Sequence, residues 1–213
     1  MNAYLIFAIG LTAQLFFSAR FIVQWIVSER AKKVLSPLLF WQLSMAGSVI
    51  LCTYGWLRND FAIIIGQLAV YYVYIWNLKS KGFWGKLSLF LRSFFYLLPV
   101  VAVIYFLIHW HETFTHLFTQ DNIPAGLIIF GITGQFTFSL RFIYQWFYSR
   151  KAGESLLPIT FWIISLTGSV MIITYAVIRN DPVLILGQAT GFIVYARNIM
   201  IGVMNKKDSS IVL

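Results

Sequence analysis

Arg20 and Arg141 each lie inside a long apolar block, about two turns from its basic end, and each is followed four residues later by a glutamine, Gln24 and Gln145. Residues at i and i+4 share one face of a helix. An ionised side chain within hydrocarbon costs about 2.5–3.5 kcal/mol on insertion scales, which makes an arginine there a functional candidate by default. The guanidinium is a planar fork that stays charged and bonds phosphate oxygens in pairs. Two such faces turned toward each other would offer two guanidiniums and two amides to a phosphate-bearing ligand in a shared cavity. The structural alternative is that both arginines snorkel to the membrane surface, or hold helix C-terminal carbonyls and lock the bundle. The residues alone leave both readings open.

A second tier of candidates surrounds this pair. Arg197 aligns with Trp76 in the repeat described below, so a third cation stands on one side only, which would suit an asymmetric anion. Gln67 and Gln188 follow glycines in the third and seventh blocks. They are placed to meet sugar hydroxyls, or to join helices at about 0.6 kcal/mol each. Asn77 and Asn198, near the ends of the same blocks, complete the substrate-binding set. Arg58, Asp60, Arg179 and Asp181 occupy the short turns at the opposite end and are the gate candidates. Asp181 before Pro182 has the form of an N-cap with proline at the first helical position. His109, His111 and His116 lie in a polar loop without ligating partners, so neither a metal nor a cofactor is expected. The chain has no Gly-rich phosphate loop, His-Glu-x-x-His or Ser/His/Asp order. No carboxylate lies within an apolar block, which argues against a carboxylate-based proton pump.

These residues need membrane helices to position them. The chain is 60% hydrophobic and 11% charged, against roughly half and a quarter in soluble domains. The apolar residues fall into seven blocks, at about 4–27, 38–57, 61–78, 88–108, 124–148, 157–178 and 182–204, each near the roughly 20 residues that span a bilayer. The first block lacks a basic leader and a small-residue cleavage site, so it is expected to be a retained helix. Pro37 and Pro158 open the second and sixth blocks, where a missing N–H does no harm. Cys52 is the single cysteine, which excludes a disulfide framework. The formal charge of +9 is confined largely to one set of connections: Arg30, Lys32 and Lys33; Lys79, Lys81, Lys86 and Arg92; Arg150 and Lys151; Lys206 and Lys207. This is the positive-inside pattern, expected to place the N-terminus outside and the C-terminus in the cytoplasm. The charge therefore reads as topology and attraction to anionic lipids, not as nucleic-acid binding.

The chain also repeats itself. Residues 10–78 lie on 131–199 without a gap, and about 30 of those positions are identical. Gln14 falls on Gln135, Phe40-Trp41 on Phe161-Trp162, Gly47-Ser48 on Gly168-Ser169, Arg58-Asn59-Asp60 on Arg179-Asn180-Asp181, and Asn77 on Asn198. The small Gly-Ser pairs read as close helix packing. Three blocks per copy, an odd number, require one further helix to bring the chain back, and residues 88–108 have no counterpart. The expected fold is an all-α integral membrane protein of seven transmembrane helices, two parallel three-helix repeats joined by a linker helix. The expected boundaries are 1–80 for the first repeat, 81–122 for linker and outer loop, 123–205 for the second repeat and 206–213 for a cytoplasmic tail.

The run Gly-Gln-x-x-Phe-Ser-x-Arg-Phe-Ile-x-Gln-Trp at 134–146, with Phe161-Trp162, Ser165, Gly168-Ser169, Tyr175, Arg179-Asn180-Asp181-Pro182, Gly187-Gln188 and Tyr195-x-Arg197-Asn198, resembles the lipid A biosynthesis N-terminal domain family. The first copy shows the same pattern with Ala13, Phe61 and Trp76 at three positions. More distantly, Gln145, Ser149, Lys151, Ser155 and Pro158 are similar to the PQ-loop and SWEET pattern, with Val23 and Tyr144 where PQ-loop chains carry the proline. The resemblance implies a place in envelope glycolipid metabolism at a bacterial inner membrane. It does not carry over glycosyltransferase activity, since no such domain is recognisable here. Three functions follow as expectations: a carrier or flippase for a lipid-linked sugar phosphate (a polyprenyl-phosphate sugar or lipid A precursor), a SWEET-like uniporter of a soluble sugar, and a non-catalytic partner of a membrane glycosyltransferase.

Overall fold

A computed structural model describes residues 3–57, 61–108, 124–180 and 182–211. Where water is absent every backbone amide must bond within its own segment, and long apolar runs answer by forming helices. Among the described residues there are seven α-helices and no strand: α1 Ala3–Ala31, α2 Leu38–Leu57, α3 Phe61–Ser80, α4 Leu89–Ile108, α5 Ala125–Ala152, α6 Ile159–Ile178 and α7 Pro182–Ile211. A 3₁₀ turn, Trp84–Lys86, joins α3 to α4. Among the described residues three stretches are long and apolar enough to cross a membrane, Tyr4–Ala31, Leu38–Leu57 and Ile159–Ile178; Leu89–Tyr105 and Gly191–Met204 are shorter apolar helices. Large apolar side chains such as Phe7, Leu15, Leu97, Ile104, Ile129 and Ile193 point outward, a surface suited to lipid rather than water.

Helix ends explain where the apolar blocks and the helices differ. α1, α5 and α7 continue past the blocks expected at 4–27, 124–148 and 182–204, because polar residues such as Ser28, Glu29, Ser149 and Arg150 extend them by a turn or more. α1 stops at a left-handed Lys32 (φ 52°), where Lys33 N–H reaches Ser28 C=O at 3.2 Å and Lys32 N–H reaches Glu29 C=O at 3.3 Å. α3 closes the same way through Gly82 (φ 71°), with Phe83 N–H on Leu78 C=O at 3.0 Å and Gly82 N–H on Lys79 C=O at 2.9 Å. Both are the paired bonds of a Schellman C-cap. The second repeat has Val203 where the first has Gly82, and α7 runs on. Pro37 and Pro158 sit one residue before α2 and α6 rather than inside their first turns. Pro99 lies within α4. The gate candidates Arg58, Asp60 and Asp181, and the three histidines, fall outside the described residues.

α1 packs on α2 and α2 on α3; α5 packs on α6 and α6 on α7. The two groups meet along two seams, α1 against α7 and α3 against α5, while α4 rests on α3. The core between them is aromatic. Phe21 meets Tyr195 edge-on at 5.3 Å, and Phe142 meets Tyr74 edge-on at 5.3 Å, the geometry favoured by ring quadrupoles. Close approach depends on glycine. A methyl at Gly168 would lie 2.7 Å from the backbone nitrogen of Phe138 on α5 and 2.8 Å from its Cα. Gly168→Ala is therefore expected to force α5 and α6 apart and cost about 1–3 kcal/mol. Thermal unfolding in detergent checks this against Gly126→Ala, whose new methyl would meet nothing within 4 Å.

Candidate functional site

Arg20 on α1 and Arg141 on α5 turn into the interior, with 4% and 2% of their surface exposed. Arg20 Nη1 donates to Ser44 Oγ at 3.1 Å and Tyr74 OH at 3.3 Å, and Arg141 Nη1 donates to Tyr195 OH at 3.1 Å. Both guanidiniums lie over the same two rings: Arg20 is 4.7 Å from Phe21 and 5.5 Å from Phe142, Arg141 is 5.9 and 4.7 Å from them. Phe138 adds a face 3.5 Å from Arg141. Cation–π contacts and hydroxyls soften burial of charge, but they do not neutralise it. Among the described residues no carboxylate bonds either arginine, and both Nε atoms lack a partner.

The two arginines border a cavity of about 200 Å³ between the halves. Its other polar walls come largely in repeat-related pairs, Gln14 and Gln135, Gln67 and Gln188, Tyr74 and Tyr195, with Ser139 alone lacking its counterpart there. The Oε1 atoms of Gln67 and Gln188 are buried without a hydrogen-bond donor. The space thus presents two cationic forks that lack anions and two carbonyl acceptors that lack donors. A ligand carrying phosphate together with hydroxyls would satisfy both. Gln14, Gln135, Tyr74 and Tyr195 were not among the residues singled out by chemistry from the sequence, yet their signal was there, because each is a polar residue kept in both copies.

Gln24, Gln145, Asn77 and Asn198 do something else. All four are 0% exposed, and they bond one another across the seams. Gln24 Nε2 donates to Asn198 Oδ1 at 2.8 Å and Asn198 Nδ2 returns a bond to Gln24 Oε1 at 2.9 Å. Gln145 and Asn77 mirror this at 2.9 and 3.0 Å. Ser28 and Ser149 tie each glutamine back to its own helix at 2.9 and 2.8 Å. The pattern is not wholly symmetric: Ser155 Oγ donates to Asn77 Oδ1 at 2.6 Å and meets Ser36 Oγ at 3.0 Å, which in turn accepts from Trp41 Nε1. The second repeat has Leu157 in place of Ser36, and Trp162 Nε1 has no partner. These amides close the bundle one turn beyond the arginines, on the side of the basic loops.

Arg197 is not at the cavity. Its Nε donates to Glu29 Oε2 at 2.8 Å and its Nη2 pairs with Glu29 Oε1, at the partly exposed end of the α1–α7 seam. Arg179 is exposed at the C-cap of α6, its N–H bonded to Tyr175 C=O.

The described residues thus form an all-α bundle, with three helices long and apolar enough to cross a membrane and a small cationic cavity between its two repeat-related groups. The chain belongs to the family described as the Lipid A Biosynthesis N-terminal domain, which matches it twice, at residues 9–79 and 130–200. It is 31% identical over 211 residues to lipid-A-disaccharide synthase of Chlamydia felis, covering 93% of this chain and 33% of that protein. It is 31% identical over 208 residues to the synthase of the same name from Chlamydia caviae, covering 93% and 33%, and 30% identical over 209 residues to that of Chlamydia abortus, covering 92% and 33%. The chain spans about a third of the length of these curated relatives. No solved structure matches it.

Proposed function

We propose that this chain is a carrier that moves a lipid-linked sugar phosphate, or a lipid A-type glycolipid, across a bacterial inner membrane. The observation that carries the reading is the pair of buried guanidiniums facing a cavity with no counter-charge among the described residues. Burying an unpaired charge is costly in any medium of low dielectric, and two like charges over the same rings make the empty state worse. An arriving phosphate offsets both penalties. Sugar hydroxyls are the complement of the Gln67 and Gln188 carbonyls, and the repeated polar walls suit a substrate held midway between two equivalent halves. At about 200 Å³ the cavity suits a phosphate and neighbouring sugar hydroxyls rather than a lipid tail.

The membrane plan that supports this role has all seven helices crossing as three, one and three, with parallel repeats, the N-terminus outside and the basic loops in the cytoplasm. It is the plan of PQ-loop and SWEET transporters. Arg179 and the adjoining outer turns serve as the opposite gate. The test is native mass spectrometry of protein purified in mild detergent, wild type beside Arg20→Gln/Arg141→Gln. A retained polyprenyl-phosphate or glycolipid species that is at least 100-fold depleted in the variant is expected. Equal retention by a folded variant sinks the assignment. Transport of a soluble sugar into liposomes free of lipid carrier would instead favour a uniporter.

A second reading has its own observation. The relatives named as lipid-A-disaccharide synthases hold this region within chains about three times longer, which favours a non-catalytic membrane partner of a glycosyltransferase. Under that reading the protein co-purifies with such an enzyme and is indifferent to both arginine substitutions.

A further inference from the structure

The two seams between the halves are equivalent by repeat but not by residue. On α1–α7, Glu29 holds Arg197 and the seam closes. At the matching positions α3–α5 carries Arg150 in place of Glu29 and Trp76 in place of Arg197, so no ion pair can form there. In its place lies a groove of about 470 Å³. Its walls are Val73 and Trp76 from α3, Ile143, Trp146 and Phe147 from α5, and Tyr96 from α4, the linker helix for which the other seam has no counterpart.

The groove is apolar along its length and cationic at one end. Lys79, in the last turn of α3, lines it with its ammonium 5.1 Å from the ring of Tyr96 and 5.9 Å from that of Trp84. Arg150, just outside the lining, stands 5.3 Å over the ring of Trp146, which forms part of the opposite wall. Lys79 takes the position that Met200 has in the second repeat. An apolar groove with Lys79 in its wall and Arg150 over Trp146, at the basic end of a bundle of lipid-facing helices, has the lining and the charge of a lipid site. A second copy of this chain is a poor occupant, since a two-fold contact through this face would set the same cations against each other.

We propose that the α3–α5 seam binds one membrane lipid with an anionic phosphate headgroup, its tail in the groove and its phosphate between Lys79 and Arg150. This rests on the membrane-embedded, two-half reading above, and it assigns the lipid to the seam rather than to the central arginines. Such a lipid would occupy the side on which the halves lack an ion pair. Its absence or exchange would then govern how readily that seam parts, which a carrier of lipid-linked substrates needs on one side only.

The experiment is native mass spectrometry of the full chain after equilibration with equal amounts of phosphatidylglycerol and phosphatidylcholine of matched tails. One bound phosphatidylglycerol is expected, with at least a tenfold preference over phosphatidylcholine. Lys79→Met/Arg150→Met should bring that preference below twofold, and both changed residues are exposed, so folding is not at risk. Arg20→Gln/Arg141→Gln should leave it unchanged, which separates this site from the carrier assignment. The proposal is overturned by a wild type without preference or by an unchanged preference in the Lys79/Arg150 variant. Loss in the central variant would place the phosphate in the cavity instead. Displacement by millimolar glycerol phosphate would remove the tail from the argument and overturn it as well.

Discussion

Replacing both central arginines by methionine is expected to raise the thermal midpoint of the empty protein by several degrees while abolishing the phosphate binding proposed for the cavity. Mutations in a membrane bundle core ordinarily destabilise, so the sign is diagnostic. Arg20 and Arg141 are 4% and 2% exposed, without a carboxylate partner among the described residues, and crowd the rings of Phe21 and Phe142. Apolar replacement of even a properly paired buried ion cluster can stabilise by about 1–4 kcal/mol. Here the charges are like in sign. Methionine is shorter than arginine but unbranched and flexible, and it fills irregular space. The losses are one hydroxyl bond for Arg141 and two for Arg20, but the gain on replacing buried ions is already net of such bonds; Tyr74 and Tyr195 keep hydroxyls free to rebond, and Ser44 keeps its bond to the Phe40 carbonyl. The measurement is unfolding of purified, delipidated protein in detergent. A lower midpoint in the variant would mean that the guanidiniums hold the halves together, the locking role that the sequence left open. A higher one means that the two buried charges are held at a cost, which a bound anion would offset.

The arginines were legible because charge inside an apolar run has few explanations, and because it recurs 121 residues later with the same neighbours. Periodicity placed Gln24 on the face of Arg20, and both do point to the interface of the halves. It could not tell which partner each amide takes. Asn77 in the same repeat and Asn198 in the other are equally good chemistry for Gln24, and only the crossing of α1 against α7 selects the residue 174 positions away. Arg197 shows a different limit. Its lack of a counterpart in the first repeat is visible in the chain, and so it stood as a third cation for the ligand. Its partner Glu29 lies past the end of the apolar block, in a stretch that hydropathy assigns to a loop but that continues as helix to Ala31. One extra turn is enough to bring a carboxylate under the guanidinium. The groove was invisible for the same reason: it depends on which faces of α3, α4 and α5 stay uncovered, which packing decides.

The reciprocal amides make the second large prediction, and it concerns movement. Gln24 and Asn198 exchange two bonds in a fully buried setting, and Gln24 also reaches Ser28 and the Leu35 carbonyl. Gln24→Leu leaves Asn198 Oδ1 without its donor, while Asn198 Nδ2 keeps its bond to the Val194 carbonyl at 2.9 Å, at about 1–3 kcal/mol for the unsatisfied group. Gln24→Leu/Asn198→Leu removes both partners together and should recover at least half of that loss, a coupling that marks a real pair. The mirror change Gln145→Leu should cost less, since Ser155 Oγ still donates to Asn77 Oδ1 at 2.6 Å. A carrier must part these pairs to release its cargo toward the basic loops, and two such pairs set a barrier of a few kcal/mol, small enough for a minor open state to be populated. Leu51 lines the cavity, so Leu51→Cys in a Cys52→Ala background reports its access. A soluble thiol reagent applied from the basic side should leave that cysteine intact in the otherwise native protein and modify it at least tenfold faster when Gln24, Asn198, Gln145 and Asn77 are all leucine. If the rates agree, the amides are packing polar groups that the halves can do without, and the closed end of the cavity must be held by the aromatic layer of Phe21, Tyr74, Phe142 and Tyr195 instead.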